Sequence, residues 1–110
     1  MSGHRSVEII VRGRVQGVGY RAWTKGVAEA RGLSGTVRNR HDGSVEAHLA
    51  GPADAVTAVI EACRQGPPGA KVEDVSVRDL AEQDLAEQDL AGSRPSQVAG
   101  PRGVQILPTA

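Results

Sequence analysis

The sequence predicts an α+β sandwich in which two helices cover one face of a four- to five-stranded antiparallel sheet. Its 110 residues, 39% of them hydrophobic, are enough for one compact domain. Segments in which apolar and polar residues alternate are interspersed with two segments of helical periodicity. Asp42-Gly43, a strong hairpin signal, joins two of the extended segments. The resulting βαββαβ order is that of the ferredoxin-like split βαβ arrangement.

The first half of the chain predicts a strand, a glycine-rich loop, a helix and a second strand. Residues 6–12 alternate between apolar and polar types and predict a strand that ends at Gly13. Residues 13–20 contain three glycines in a GxxxGxG pattern, which is typical of a loop that exposes backbone N–H groups. A helix is expected from Arg21, with Gly32 as its C-cap and an apolar stripe of Trp23, Val27 and Ala30. A short strand follows at residues 36–39.

The second half predicts a returning strand, a second helix and one or two further strands. Residues 44–50 alternate again, and Pro52 suits the start of a helix. That helix has one apolar face, formed by Val56, Val59, Ile60 and Cys63. Residues 72–77 predict a strand whose spacing at Glu73-Asp74 indicates either a bulge or a late start of the strand. Residues 104–107 could add a short last strand to the sheet.

Residues 79–102 differ in character, because they begin with copies of the five-residue unit DLAEQ. A period of five turns each leucine by about 140° around a helix, so the leucines share no face. We interpret residues 79–102 as a low-complexity insertion within a single domain of residues 1–110. An arm that binds a partner is the alternative. The insertion leaves open whether the last strand is ordered.

The charge distribution points to an anion site in the first forty residues. The net charge is zero, but residues 1–40 contain eight basic and two acidic residues, whereas the remainder contains five and eleven. The apolar runs are far too short to cross a bilayer, so we expect a cytoplasmic protein. A single cysteine, Cys63, is interpreted as a small buried apolar residue. His4, His41 and His48 show no metal-ligand pattern.

The glycine-rich loop is the clearest candidate for chemistry. A loop between a strand and a helix presents backbone N–H groups in a concave nest, which suits a phosphate. Arg21 follows the loop, and its planar guanidinium group can donate hydrogen bonds to two phosphoryl oxygens at once. Neither GxxxxGK[ST] nor GxGxxG is present, which argues against an ATPase or a dinucleotide enzyme. A tight turn whose glycines serve only geometry remains the alternative.

Two segments together resemble the signature motifs of the acylphosphatases, small enzymes that hydrolyse carboxyl-phosphate anhydrides. They are VRGRVQGVGYR, residues 11–21, and GTVRNRHDGSV, residues 35–45, and the resemblance extends over residues 6–78. It implies the same α/β sandwich, an acyl phosphate substrate, no cofactor and no metal. It also implies two catalytic residues, Arg21 for the phosphoryl group and Asn39 for the attacking water. Backbone N–H groups of the phosphate-binding loop would assist, namely those of Val15, Gln16, Gly17, Val18, Gly19 and Tyr20.

Physical chemistry agrees with this division of roles. The transition state of phosphoryl transfer spreads charge over three oxygens and requires mainly well-placed donors. A carboxylate leaves without protonation, because its conjugate acid has a pKa of about 4. Without the resemblance, Asn39 would be taken for an ordinary hairpin residue. Arg14, Arg38 and Arg40 are interpreted as a solvated basic rim that attracts the anionic substrate.

Two other functions stay open at this point. The first is a module that binds an acyl phosphate or carbamoyl phosphate without hydrolysing it, as acylphosphatase-like domains occur within larger carbamoyl-transferring proteins. The second is an RNA-binding domain, because RNA readers share this order of strands and helices. Their sheets carry stacking aromatic residues, which are lacking in the strands predicted here. We expect a monomer that acts on a small molecule and has no nucleic-acid or membrane partner.

Overall fold

The computed structural model describes residues 3–80 and 103–110. In chain order these residues form β1 (His4–Arg14), α1 (Tyr20–Ala30), β2 (Ser34–Asn39), β3 (Val45–Pro52), α2 (Ala53–Gln65), β4 (Lys71–Asp79) and β5 (Val104–Ile106). The strands form one sheet in the order β4-β1-β3-β2-β5. Helix α1 packs on β2 and β5, whereas α2 packs on β1, β3 and β4. The predicted α+β sandwich is confirmed.

The prediction of a wholly antiparallel sheet is wrong for the last strand. Strands β1 to β4 pair antiparallel, but β5 pairs parallel to β2, with Gly35 opposite Val104 and Val37 opposite Ile106. Strand β4 ends opposite Val7, at the end of the sheet where β1 and β2 begin. Strand β5 starts at this same end of the sheet, next to the start of β2, and so runs in the direction of β2. The fifth strand is present, and it makes the sheet mixed.

Alternation along the strands separates an apolar core from a charged outer face. In β1 and β3, buried residues of the core cluster pair with each other, as Val7 does with Leu49 and Ile9 with Ala47. The helices cover this face, and the predicted face of α2 is confirmed because all four of its residues are buried. Since a slip of one residue would turn the core side chains to solvent, burial fixes the register.

The apolar stripe predicted for α1 is only partly right. Trp23 and Val27 pack against the core while remaining half-buried, and Ala30 is exposed. The fully buried face consists of Tyr20, Thr24 and Ala28. Thr24 can be buried because its hydroxyl donates to the Tyr20 carbonyl at 2.8 Å. The end of the helix is as predicted: Leu33 N donates to Ala28 O at 3.0 Å and Gly32 N to Glu29 O at 3.0 Å, a Schellman motif.

Strands β1 and β4 are both longer than predicted. Strand β1 does not end at Gly13, since pairing with β4 continues to Arg14 across a register shift between Arg12 and Gly13. The shift leaves Glu73 as the extra residue on β4, which confirms the predicted bulge. At its other end β4 reaches Asp79, whose carboxylate accepts from Arg5 Nε at 2.7 Å. Asp79 thus belongs to the sheet, and most of the predicted insertion, residues 81–102, lies outside the described residues.

Within the described ranges, no helix is long and apolar enough to cross a membrane.

Residue Gly35 shows how closely the central strands approach each other. Its φ is +147°, and a Cβ at this position would overlap the His48 carbonyl group of β3. Gly26 is the opposite case, since a Cβ on this residue of α1 would meet nothing within 4 Å.

Gly35→Ala should therefore destabilise the protein by roughly 3 kcal/mol, because both backbone strain and overpacking oppose it. Gly26→Ala should stabilise it by about 0.5–1 kcal/mol, as expected for alanine in a helix interior. Urea unfolding of the two variants and the parent protein measures both changes. A Gly35→Ala variant as stable as the parent would contradict the described pairing of β2 with β3.

Candidate active site

The site lies at the end of the sheet where β1 and β2 both terminate. Val45, the first residue of β3, pairs with Val11 of β1 on one side and with Asn39 of β2 on the other. The loop that follows β1 and the hairpin that follows β2 therefore meet at this end. The predicted Asp42-Gly43 turn is confirmed, with Arg40 N donating to Ser44 O at 2.8 Å and Gly43 N to Arg40 O at 3.1 Å.

Residues 15–19 form the loop between β1 and α1. Val15 is buried and Val18 packs against the core, so these two side chains anchor the loop. Gly17 and Gly19 both have left-handed backbones, with φ of +78° and +79°. Such alternation turns successive N–H groups toward one side, as in an anion-binding nest. The phosphate cradle that the sequence predicts at this loop stays a prediction.

The N-terminus of α1 adds donors to this cradle. Gly19 is the N-cap, no side chain caps the helix, and its first turn contains no acidic residue. The first N–H groups of a helix have no partner within the helix, and they carry partial positive charge. An anion placed here would satisfy them.

A pocket of about 190 Å³ opens between the loop, α1 and the end of β2. Arg21 and Asn39, which are 18 residues apart in sequence, both line this pocket. In the part of the chain that the structure describes, neither side chain has a hydrogen-bond or ion-pair partner. The described residues that line it are Val15, Gly17, Gly19, Tyr20, Arg21, Ala22, Asn39 and Ile106.

Two of the predicted loop residues do not line the pocket with the others. Val18 turns into the core, and the side chain of Gln16 extends to the hairpin. Ala22 and Ile106 line the pocket although the sequence does not single them out. The small size of Ala22 leaves room beside Arg21 in the first turn of α1, whereas Ile106 reaches the pocket through the parallel pairing of β5.

Gln16 joins the two halves of the site. Its Nε2 donates to Arg40 O at 2.8 Å and to Ser44 O at 2.9 Å. Both acceptors are backbone groups of the hairpin, so the cradle and the turn next to Asn39 are fixed to each other. On the other side of β2, Ala110 N donates to Asn39 O at 3.0 Å. The backbone at Asn39 is thus held by both neighbouring segments.

The prediction that Arg38 and Arg40 form a solvated rim is wrong. Arg38 Nη2 lies 3.3 Å from Glu46 Oε2, and Arg40 Nη1 lies 3.8 Å from Glu46 Oε1. Arg38 pairs with Glu46 across the β2–β3 ladder, which places both side chains on the outer face. Arg14 is exposed, as the prediction requires. The basic charge that faces the pocket is therefore mainly that of Arg21.

The outer face of the sheet also holds a cluster of three side chains of the kinds that bind metals. The sequence indicated no such grouping for His48. One ligand atom each from Glu8, Glu46 and His48 lies within 4.8 Å of the others. Arg38 and Arg40 pair with Glu46, and Arg78 Nε lies 3.4 Å from Glu8 Oε1. A divalent cation would meet these three guanidinium groups, so the cluster is better described as an ion-pair network.

Tyr20, the first residue of α1, connects the cradle to α2. Its hydroxyl donates to the Cys63 carbonyl at 2.7 Å in the buried core. Burial raises the pKa of the Tyr20 hydroxyl, so it remains a donor at any working pH. Cys63 is buried as predicted, and burial raises the pKa of its thiol to about 11. The thiol is neutral near pH 7 and has no nucleophilic character there.

Comparison with known proteins decides the family. The model of the family described as Acylphosphatase matches residues 7–89. This chain belongs to the acylphosphatase family. An acylphosphatase from Azorhizobium caulinodans is 56% identical over 70 residues, which are 64% of this chain and 75% of that relative. An acylphosphatase from Mesorhizobium japonicum is 59% identical over 73 residues, 66% of this chain and 78% of the relative.

Solved structures agree with the assignment of this acylphosphatase-family chain. The crystal structure of acylphosphatase from Bacillus subtilis superposes with a TM-score of 0.74 at 35% identity, covering 94% of this chain and 98% of that one. Full-length HypF in its phosphate- and nucleotide-bound form has a TM-score of 0.74 at 19% identity. That match covers 99% of this chain and 12% of HypF, and it supports the fold alone.

Tyr20→Phe should destabilise the protein by about 1–2 kcal/mol, because it leaves the buried Cys63 carbonyl without its donor. The ring itself remains, including its edge contact with Trp23 at a centroid distance of 5.3 Å. Thermal or urea unfolding measures the loss. Unchanged stability would show that the hydroxyl does not bridge α1 and α2.

Proposed function

We propose that this chain hydrolyses acyl phosphates to a carboxylate and inorganic phosphate, with Arg21 and Asn39 as its catalytic residues. The observation that carries the proposal is their position on the walls of one pocket, beside the glycine-rich loop and the uncapped start of α1. Family membership supports the reaction. The pocket, at about 190 Å³, is smaller than typical sites for larger ligands and suits the phosphoryl end of a substrate.

Arg21 and the loop bind the phosphoryl group in this mechanism. The guanidinium group donates two parallel hydrogen bonds to phosphoryl oxygens, which a lysine cannot do. The backbone N–H groups of residues 15–20 and the N-terminus of α1 surround the remaining oxygen. These donors are fixed by the backbone before the substrate arrives. They therefore stabilise the charge of the transition state without reorganisation.

Asn39 positions the attacking water. A carboxamide offers donors and an acceptor but does not titrate near neutral pH, so it orients the water and removes no proton. The water oxygen forms a bond to phosphorus while the bond from phosphorus to the acyl oxygen breaks. The electron pair of that bond leaves with the carboxylate, which needs no general acid. The proton of the water passes to a phosphoryl oxygen of the substrate.

Gln16 acts as a positioning residue in this mechanism. Its two hydrogen bonds to the hairpin set the separation between the phosphate cradle and Asn39. An error of about 1 Å in the placement of a reacting group can reduce the rate a hundredfold. The role of the Gln16 side chain is therefore to place the water in line with the bond that breaks.

The alternatives make different predictions. A binding module for acyl phosphate or carbamoyl phosphate would hold these ligands without turnover. An RNA-binding sheet would need exposed aromatic residues on its strands. The sole tryptophan and tyrosine of the sequence, Trp23 and Tyr20, both lie on α1, and there is no phenylalanine. The outer face of the sheet has the Glu8, Glu46 and His48 network instead.

The proposal extends to the organisation of the protein. A single chain supplies both Arg21 and Asn39, so a monomer in the cytoplasm would suffice, without nucleic acid or membrane. The repeat region would be a passive insertion in one acylphosphatase-like domain. Strands β4 and β5 lie four strand spacings apart, roughly 19 Å, so a linker must remain between them. Replacement of residues 81–102 by a flexible linker of about ten glycine and serine residues should then leave turnover and melting temperature unchanged, and a loss of turnover would show that the segment contributes to function.

Arg21→Gln and Asn39→Ala should each lower kcat for benzoyl phosphate by at least about a hundredfold, because each removes a group that acts on the transition state. Stability should change by less than about 0.5 kcal/mol, since neither side chain has a partner among the described residues. Arg31→Gln, an exposed position at the opposite end of α1, serves as the matched control. Normal turnover by both site variants would refute the mechanism, and binding without turnover in the parent protein would favour the binding module.

Gln16→Ala should lower kcat/KM for benzoyl phosphate by about 10- to 100-fold, because the cradle and the hairpin separate. Gln16→Glu places a carboxylate between two carbonyl oxygens, which raises the pKa of the new carboxyl group. Below that pKa the protonated acid again donates one hydrogen bond. The activity of Gln16→Glu relative to the parent should therefore rise as pH falls from 7 toward about 5. A constant ratio across this range would argue that Gln16 has no positioning role.

A further inference from the structure

Ile106 is an exposed apolar residue at the mouth of the pocket. The residue is 44% accessible. Among the described residues, it is the only large hydrophobic one that is exposed. It also lines the pocket together with Arg21 and Asn39. Exposure of a single apolar side chain on a surface is ordinary. Its location within the site makes it informative here.

The backbone fixes Ile106 in this position. Val104 lies two residues earlier on the same face of β5 and is buried beneath α1. Lys25 Nζ donates to Val104 O at 2.6 Å, and Val104 N donates to Glu29 Oε2 at 2.9 Å. Beyond Ile106, Leu107 N donates to Val37 O at 2.9 Å. Since both ends of β5 are tied, Ile106 is a fixed wall of the pocket.

The lining of the pocket divides into two chemical types. Arg21 and the backbone of the loop donate hydrogen bonds and suit the phosphoryl end of a substrate. Ile106 and Ala22 offer carbon surface and no polar atom on their side chains. An acyl phosphate has the same two ends, a dianionic phosphoryl group and an acyl group. With the phosphoryl end in the cradle, the acyl end extends toward the open part of the pocket.

We propose that Ile106, together with Ala22, forms an apolar subsite that gives the enzyme a preference for acyl phosphates with aryl or longer alkyl groups. This inference rests on the proposed function. Contact with Ile106 removes apolar surface of both partners from water, which favours binding. Acetyl phosphate, with a single methyl group, gains little from this surface. Among the described lining residues, Arg21 is the only basic side chain, and it binds the phosphoryl group. A carboxylate carried by the acyl group would therefore find no second cation among them.

The experiment compares kcat/KM for benzoyl phosphate with kcat/KM for acetyl phosphate in the full chain. Taking the ratio cancels any change that affects hydrolysis in general. Ile106→Ser should lower this ratio about fivefold, since the apolar contact is lost, and Ile106→Val should lower it less, by about twofold. Gln105→Ser is the matched control, because Gln105 is exposed on β5 and does not line the pocket. Its ratio should equal that of the parent.

The outcomes separate this inference from the proposed function. An unchanged ratio in both Ile106→Ser and Ile106→Val, with acetyl phosphate hydrolysed normally, would overturn the subsite and leave the function intact. If the parent protein hydrolysed neither benzoyl phosphate nor acetyl phosphate, the proposed function itself would be overturned. Should Ile106→Ser fail to fold, Ile106→Val decides the question, because it removes one methylene and keeps the β-branched shape that suits a strand.

Discussion

The site depends on the position of β3 between β1 and β2. Val45 pairs with Val11 on one side and Asn39 on the other, so the two strands that end in functional segments must end at the same edge. Burial of alternate residues fixes this register, because a shift by one residue would expose the core face of the sheet. The cradle and the hairpin are therefore brought together by the packing of the core, and Gln16 then joins them directly.

Charge is distributed according to which face of the sheet a residue occupies. Arg38 and Arg40 flank Asn39 in sequence, but alternation turns their side chains to the outer face, where both are close to Glu46. Asn39 turns to the pocket, as does Arg21 at the start of α1. The network on the outer face thus holds the residues on either side of Asn39, while the pocket keeps one guanidinium group without a carboxylate partner among the described residues.

Much of the fold could be predicted from local sequence, whereas Asn39 entered the candidate site only through the resemblance of two segments to the acylphosphatase signature motifs. The α2 face and the Asp42-Gly43 turn each depend on neighbours within one element or one hairpin. The remaining features depend on contacts between distant segments. The parallel pairing of β5 relies on Glu29 and Lys25, which bind Val104 from more than seventy residues away. Burial of the Tyr20 face of α1 requires a carbonyl acceptor on α2, and no periodicity encodes it. Ile106 could not be assigned to the pocket for the same reason.

In the proposed mechanism, backbone N–H groups of residues 15–20, with Arg21, bind the phosphoryl group. Titration of the ¹⁵N-labelled protein with inorganic phosphate, followed by ¹H–¹⁵N correlation NMR, tests it most directly. The largest shifts should occur at the amides of Gln16 to Arg21, and Arg21→Gln should weaken binding while leaving the rest of the spectrum unchanged. Shifts confined to another surface, such as the network of Glu8, Glu46 and His48, would contradict the claim. An unaltered affinity in Arg21→Gln would do the same.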